Sequence, residues 1–166
     1  MTKEVDPSDK ELVYLLGSMV RNAGSLEFML RLLVGGLSGS AHGSLIAAGE
    51  GVSRLIDLSQ ALAKAQPDMT PGRLEALNGI LSRCRAAFSR RDQYVHGLWT
   101  VSHGTQEWST WRSRRNKPEP YRQPAQEHDL RELGETMSQL YVEISAWQWK
   151  PKREQILAMG PLVDEE

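Results

Sequence analysis

Three side chains near the middle of the 166-residue chain could exchange protons and bind an anion: Arg91, Asp92 and His96. Asp92 and His96 are four residues apart in a segment with helical periodicity, so the carboxylate lies one helical turn from the imidazole. At that spacing Asp92 can orient the ring of His96 or stabilise its charged form. Arg91 falls where the apolar stripe of the same helix predicts a hydrophobic residue, which places its guanidinium at a seam between helices.

Arg91 and His96 are five residues apart, which corresponds to about 140° around a straight helix. One regular helix therefore does not bring the two side chains into contact. For both to serve a single site, the helix must distort near Gly97, or a second copy of the chain must bring its own pair alongside.

Positive charge is concentrated around this motif. The formal net charge is −1, but residues 83–122 carry nine Lys and Arg against three acids, while the rest of the chain carries 11 against 18. The total excludes a protein that coats nucleic acid over its whole surface, yet the local zone attracts phosphate groups. We expect the phosphate-binding side chains to be Arg85, Arg90, Arg112, Arg114 and Arg115.

The spacing of apolar residues predicts four main helices that position the motif. Their apolar stripes span residues 12–33, 45–62, 74–95 and 130–147. Glycines and prolines mark their ends, because glycine favours helix termination and proline disfavours a helical residue before it. We therefore expect a stop at Gly35-Gly36, a stop at Gln66-Pro67, an N-cap at Thr70 and a break near Lys150-Pro151.

The segment between the third and fourth helices has a different pattern. Residues 98–102 and 108–112 are rich in aromatic and β-branched residues and predict a β-hairpin. Residues 113–126 are polar, contain three prolines and predict a surface loop. The expected fold class is all-α: an antiparallel helical bundle of about four main helices, forming a single domain over residues 1–166, with a hairpin and basic loop at about 98–126 as an insertion.

The remaining chemistry of the chain is sparse. Cys84 is the only cysteine, which excludes an intramolecular disulfide framework and a cysteine zinc site. The three other histidines have no partners at metal-ligand spacing, so we expect no metal and no cofactor. The first residues resemble neither a secretory signal nor a transit peptide, and the longest uncharged run contains five glycines and does not suit a membrane span. These features favour a reducing cytoplasm and no membrane partner.

Residues 91–96, with the sequence RDQYVH, resemble the signature of the HEPN superfamily (higher eukaryotes and prokaryotes nucleotide-binding). That signature is an Arg, often followed by a polar residue, and a His after four to six intervening residues near the end of a helix in a small bundle. The match would cover roughly residues 8–150. Some toxins of this superfamily carry a Tyr two places after the His, modified by a nucleotidyltransferase antitoxin; here that position is Leu98, so silencing by that route is not implied.

The resemblance implies a metal-independent endoribonuclease, acting as a homodimer with a composite active site in a toxin or antiviral defence role. His96 would move protons, Arg91 would stabilise developing negative charge on the phosphate, and Asp92 would hold the tautomer of His96. Five of the arginines of the basic zone, Arg85, Arg90, Arg112, Arg114 and Arg115, would bind RNA. The implied partners are RNA, a second copy of the chain and an antitoxin or regulatory protein.

Other interpretations of the same residues stay open. Arg91 could pair with Glu27 or Glu135, and His96 could cap the helix C-terminus, where the helix dipole favours a cation. The chain would then be a non-catalytic HEPN-like module for dimerisation, RNA or nucleotide binding, or partner binding. One aromatic group either stacks on bases or anchors the hairpin on its helices: Trp99, Trp108, Trp111 and Tyr121.

Overall fold

The computed structural model describes residues 7–40, 42–102, 107–113 and 120–158, with side chains from residue 10 to residue 148 within these ranges. These residues form five helices and one three-stranded antiparallel sheet. The order is α1 (Pro7–Ser38), α2 (Gly43–Ala47), α3 (Val52–Ala65), α4 (Pro71–Val95), β1 (Leu98–Val101), β2 (Trp108–Arg112), β3 (Tyr121–Pro124) and α5 (Glu127–Ala158). The expectation of a mostly helical protein is confirmed.

Helix α1 continues past the point where the sequence predicts its end. It runs through Gly35 and Gly36 to Ser38, because Val34 and Leu37 are buried and extend its apolar stripe by another turn. The residue after the helix, Gly39, has φ +61°. This left-handed conformation closes a helix at little steric cost only when the residue is glycine.

The second predicted helix is two helices. Helix α2 ends at Ala47, the chain turns through Gly49 at φ +77°, and α3 begins at Val52 with Gly51 as its N-cap. Two apolar stripes in nearly the same register conceal this break in the sequence. The predicted end of α3 is confirmed, since Gln66 before Pro67 is extended.

Helix α4 begins as predicted, whereas α5 does not break where predicted. Thr70 caps α4, its Oγ1 accepting from the amide of Arg73 over 3.3 Å. Helix α5 continues through Pro151 to Ala158. Because proline has no N–H, the carbonyl of Trp147 four residues earlier lacks its helical donor, and Arg73 Nη2 donates to that carbonyl over 3.3 Å.

Helices α1 and α5 run parallel to each other. Contacts between them ascend along both helices: Arg131 Nη2 to Glu11 at 3.0 Å, Asn22 Nδ2 to the Gly134 carbonyl at 3.0 Å, and Gln148 Nε2 to the Leu32 carbonyl at 3.2 Å. The expectation that neighbouring helices are antiparallel is wrong for this pair. The reason is the connection between α1 and α3, which returns along α1, so that α3 starts near Glu27 of α1 and ends near the C-terminus of that helix. The side-chain amide of Gln66 donates to the Leu37 carbonyl there over 2.6 Å.

Helix α4 runs antiparallel to α5. Its early residue Arg73 contacts the late residue Trp147 of α5, and Arg83, halfway along α4, forms an ion pair with Glu143. Helix α4 also contacts α3, and α1 contacts both α3 and α5, so the four long helices surround one cluster of buried hydrophobic side chains. No helix in the described part of the chain is long and apolar enough to cross a membrane.

The predicted hairpin is confirmed, and a third strand extends it. Strand β1 pairs antiparallel with β2, and β2 pairs antiparallel with β3. The prediction of a loop over residues 113–126 is wrong for β3, a short edge strand whose Pro124 lies at its last position, where a missing N–H is tolerated. The predicted turn at residues 103–106 lies outside the described residues.

The sheet packs on the C-terminal end of α4. Trp99 Nε1 donates to the carbonyl of Tyr94 over 2.8 Å, and the rings of Tyr94, Trp99 and Trp108 follow one another at centroid distances of 6.2 Å. A Cβ on Gly97 would lie 3.0 Å from Cβ of Thr110, so strand β2 crosses the end of α4 too closely for a larger residue to fit there without a shift. This contact places the end of β2 beside the predicted motif.

Candidate functional site

A cleft of about 710 Å³ lies between the beginning of α3, one face of α4 and the end of β2. We call it the arginine cleft, because four arginines from three elements line it. They are accompanied by one histidine and two carboxylates, and the charged set is Glu27, Arg54, Arg85, Arg91, Asp92, His96 and Arg112. The structure thus brings together five of the eight residues that the sequence predicts for the site.

The centre of the arginine cleft is a single carboxylate oxygen. Arg91 Nη1 donates to Oδ1 of Asp92 over 2.9 Å, and Nε2 of His96 lies 3.9 Å from the same oxygen. The first contact is a charge-assisted hydrogen bond, and the second is an ion-pair distance without a hydrogen bond. Asp92 therefore connects the two residues that one regular helix holds too far apart for direct contact.

His96 occupies the C-cap position of α4. Its backbone N–H donates to the Asp92 carbonyl over 3.1 Å, while 58% of its side chain is exposed to solvent. The capping position predicted for this residue is confirmed. The imidazole at this end of the helix is accessible to a ligand and keeps both ring nitrogens free of hydrogen bonds within the described part of the chain.

Arg91 is the most enclosed charged group of the motif. Its side chain is 26% exposed, and its Nε is buried and has no hydrogen-bond partner within the described part of the chain. A buried donor without a partner costs about 1–3 kcal/mol, which an incoming anion would offset. The predicted alternative pairing of Arg91 with Glu27 or Glu135 is wrong: its ion pair is with Asp92, and Glu27 forms an ion pair with Arg31.

The outer arginines of the cleft differ in how strongly they are paired. Arg85 donates to Asp57 of α3 over 2.7 Å, with both side chains about half exposed. Arg112 reaches the cleft from β2, where the contact of the sheet with α4 positions it. Arg54 lies in the first turn of α3 and was not among the predicted residues. The unpredicted turn at Gly49 is what brings it to the cleft.

The first turn of α3 gives the cleft a second source of positive potential. Gly51 caps the helix without a side-chain hydrogen bond, and the first turn contains no acidic residue. Unpaired amides and the helix dipole make such a terminus attractive to anions. The Gly-Glu-Gly run at residues 49–51 is the signal in the sequence that could have located this helix start.

One predicted RNA-binding residue does not line the cleft, and two others lie outside the described residues. Arg90 lies on the face of α4 that packs toward α5, at 3.8 Å from Asp129 and 3.6 Å from Glu132. Arg114 and Arg115 lie outside the described residues. The described part of the site therefore consists of the motif at 91–96 and the arginines at 54, 85 and 112.

The aromatic group divides into two roles. Trp99 and Trp108 pack against the core and anchor the hairpin, as one of the two interpretations expects. Trp111 is 36% exposed on the outer face of the sheet, where its Nε1 donates to Thr100 Oγ1 over 2.9 Å. Tyr121 is also exposed and lines a separate cavity next to the cleft.

Two titratable groups of α4 lie outside the cleft and are too buried to act in it. Burial raises the pKa of the Cys84 thiol to about 12, so this side chain is not a nucleophile near neutral pH. Burial also raises the pKa of Tyr94, with a further contribution from the charge of Asp129. The hydroxyl of Tyr94 has no hydrogen-bond partner within the described chain.

The proton-exchanging groups of the arginine cleft are thus one imidazole, His96, and two carboxylates, Asp92 and Glu27, and Glu27 is already paired with Arg31. Among the described residues, no group of three or more His, Cys, Asp or Glu side chains is arranged to hold a metal ion. Comparisons with protein-family models, with curated protein sequences and with solved structures find no match to this chain.

Proposed function

We propose that this protein is a metal-independent endoribonuclease of HEPN type, acting as a homodimer with a composite active site. The observation that carries the proposal is the convergence of Arg91 and His96 on one oxygen of Asp92 inside a cleft lined by three further arginines. A proton-exchanging group beside a partly buried guanidinium, whose buried Nε has no hydrogen-bond partner in the described chain, suits the cleavage of a phosphodiester. In this proposal the four long helices form the HEPN-type bundle and the sheet is its insertion.

The proposed reaction is attack of an RNA 2′-hydroxyl on the adjacent phosphorus. A neutral imidazole takes the proton of the 2′-hydroxyl, the new O–P bond forms, and the bond from phosphorus to the 5′-oxygen breaks. A protonated imidazole gives its proton to that 5′-oxygen. The products are a 2′,3′-cyclic phosphate and a 5′-hydroxyl. In the transition state, Arg91 stabilises the negative charge on the non-bridging oxygens of the phosphorus.

The need for two imidazoles is the reason for proposing a dimer. The attacking and leaving oxygens lie on opposite sides of phosphorus in an in-line displacement, so the base and the acid approach from different directions. Each described chain brings a single histidine, His96, to the cleft. A two-fold axis close to the ends of the α4 helices would supply the second.

The outer arginines are proposed to bind the backbone of the flanking nucleotides. Arg54, Arg85 and Arg112 surround the motif from three different elements, which suits a strand that passes through the cleft. Phosphate contacts from fixed positions orient the strand without reading its sequence. Asp92 would hold Arg91 and His96 in place at the centre of these three arginines.

The biological setting follows from the activity. We propose that the enzyme acts in the cytoplasm as a toxin or in antiviral defence, since a ribonuclease that cuts cellular RNA must be restrained until it is needed. An antitoxin or regulatory protein that covers the arginine cleft would provide this restraint.

The test is incubation of the purified full-length protein with mixed cellular RNA in EDTA, with the ends of the products identified. We expect 5′-hydroxyl and cyclic phosphate ends, and a loss of rate of about a hundredfold or more in His96→Ala and Arg91→Ala. His128→Ala is a matched control, because His128 is also exposed and lies 3.5 Å from a neighbouring aspartate, Asp129, but lines no part of the cleft. Arg21→Ala is the corresponding control on exposed surface.

The outcomes separate two functions. Cleavage that persists in both cleft variants would show a contaminating nuclease and refute the proposal. A dimeric wild-type protein that binds RNA through the arginine cleft without cutting it would instead be a binding module. If the protein sediments as a monomer at concentrations at which it cleaves RNA, the composite site is refuted.

A further inference from the structure

A second cavity, of about 350 Å³, adjoins the arginine cleft. It lies between α4 and the inner face of the sheet, and we call it the glutamine pocket. Ser89 and Arg112 line both the pocket and the cleft, so the two spaces are neighbours that share these two side chains. Ligand pockets usually measure about 300–1,000 Å³, so the glutamine pocket has the size of a single small group.

One helix, α4, and two strands, β2 and β3, build the glutamine pocket. Ser89 and Gln93 are four residues apart on α4 and therefore share one face of the helix. The register of β2 and β3 aligns Thr110 with Gln123 and Arg112 with Tyr121, so these four side chains share the sheet face that turns toward α4. The pocket is thus lined by positions that the fold holds in place.

The lining is polar, and two of its side-chain amides are not used by the fold itself. Gln93 and Gln123 are half-buried, and neither side-chain amide has a hydrogen-bond partner within the described chain. Each amide offers both a donor and an acceptor. Hydroxyl groups of Ser113 and Tyr121 surround them, and no carboxylate is among the described lining residues. Such a pocket suits an uncharged planar ligand with alternating donors and acceptors.

Helix α4 relates the two spaces directly. Gln93 follows Asp92 in the chain, so the side chains that line the pocket and the cleft leave the same turn of the helix about 100° apart. A phosphate held at Arg91 therefore has its own nucleoside within reach of the pocket, with Arg112 between the two. Single-stranded RNA bases are recognised in this way, by hydrogen bonds to their exposed edges in a pocket beside the backbone.

We propose that the glutamine pocket binds the base of the nucleotide next to the scissile phosphate, and that this base is adenine. The inference rests on the proposed function, because it takes RNA as the ligand of the adjoining cleft. An amide side chain pairs with the donor and acceptor of adenine N6 and N7, whereas the amino group of cytosine is best accepted by a carboxylate. Two amides on opposite walls match adenine, and Tyr121 provides a ring beside it.

The test measures binding of 2′-O-methyl hexanucleotides of A, C or U, which lack the attacking hydroxyl and stay intact on the wild-type protein. We expect the A oligomer to bind at least about tenfold more tightly than the other two, equivalent to about 1.4 kcal/mol. Gln93→Ala/Gln123→Ala should lower its affinity far more than that of the U oligomer, so that the ratio of the two affinities falls to about one. Gln126→Ala, an exposed glutamine outside both spaces, should keep the preference.

A second variant keeps the side-chain size should the double alanine variant unfold. In Gln93→Glu/Gln123→Glu the carboxylates accept hydrogen bonds only, so the preference should move from A toward C. Cleavage-site mapping of natural RNA should give breaks next to A in the wild type. Equal binding of all three oligomers, or a preference for C or U in the wild type, would overturn the inference.

The failure of this inference is distinguishable from failure of the proposed function. Cleavage of RNA without base preference would refute the adenine pocket and support the nuclease. Selective binding of A oligomers without cleavage of natural RNA would support the pocket and refute the nuclease. Absence of both binding and cleavage would refute both proposals.

Discussion

The Arg91 guanidinium and the His96 imidazole both approach one atom, Oδ1 of Asp92, at 2.9 and 3.9 Å. The carboxylate has two opposing effects on RNA. It neutralises part of the charge that attracts phosphate, and it holds the two cleft residues together. Binding and cleavage should therefore respond differently when only its charge is removed.

Asp92→Asn tests this relationship. The substitution keeps the shape of the side chain and raises the net charge of the cleft by one, so RNA should bind about two- to threefold more tightly at low salt. The amide holds Arg91 and His96 less well, so the cleavage rate at saturating RNA should fall by about tenfold or more. Binding titrations and single-turnover rates give the two numbers. Equal losses of binding and rate would instead indicate a general distortion of the cleft.

The outer arginines should determine the salt dependence of RNA binding. Each phosphate contact to single-stranded nucleic acid contributes about −0.7 to the slope of log affinity against log salt. Single Arg54→Ala, Arg85→Ala and Arg112→Ala variants should each reduce the slope by about this amount, with a smaller effect for Arg85, whose charge is shared with Asp57 over 2.7 Å. Arg21→Ala, on the surface of α1, should leave the slope unchanged. Three unchanged slopes would place the RNA elsewhere.

Local signals in the sequence predict the elements that carry the motif. Thr70 and Pro71 identify the start of α4, and the change from helical to alternating periodicity after Gly97 identifies the hairpin. These features depend on neighbours in the chain, so a single sequence contains them. The end of α5 is different: the helix continues through Pro151 because Arg73, far away in sequence, takes over the carbonyl of Trp147.

The rest of the site depends on contacts between distant segments. Arg54 reaches the cleft only because the chain breaks at Gly49 and α3 starts beside α1. Arg90, one residue before Arg91, points instead toward Asp129 on α5, because consecutive residues on a helix diverge by about 100°. A count of charges along the sequence does not distinguish the arginines that line the cleft from those that do not. The packing of the helices determines which of them reach it.

The ion pair of Arg83 with Glu143 should give the protein an acid-dependent stability. Two hydrogen bonds from Arg83 lower the pKa of Glu143 from its ordinary value of 4.5. A lowered pKa in the folded state adds stability above the unfolded value, and this is lost as the pH falls below about 4.5. Glu143→Gln should therefore be less stable by about 0.5 kcal/mol at neutral pH, since Arg83 is half exposed. Urea titrations should show the difference shrinking toward low pH, and a constant difference would mean that packing, not charge, is responsible.

Cys84 should react with thiol reagents only when the protein unfolds. The side chain is fully buried, and its pKa of about 12 keeps it protonated at the pH of ordinary labelling reactions. At about pH 8 the labelling rate should equal the opening rate when the reagent reacts faster than the protein recloses, and should be proportional to the open population otherwise. It should rise steeply across the urea transition. The raised pKa also means that its contribution to stability is present below pH 9.0 and is lost as the pH rises toward about 12. Fast labelling of the native protein would contradict the packing of α4 against the core.

Replacing Gly97 should lower both the stability of the fold and the affinity of the arginine cleft for RNA. A Cβ at this position would lie 2.6 Å from the Gln93 carbonyl and 3.0 Å from Cβ of Thr110, so Gly97→Ala forces strand β2 away from α4. We expect a loss of about 1–3 kcal/mol in the free energy of unfolding, with weaker RNA binding in the folded protein because Arg112 moves with the strand. Gly24→Ala is the matched control: its Cβ meets nothing within 4 Å, and replacing a glycine inside a helix should add about 0.5–1 kcal/mol. A Gly97→Ala protein with unchanged stability and RNA affinity would show that β2 does not position Arg112.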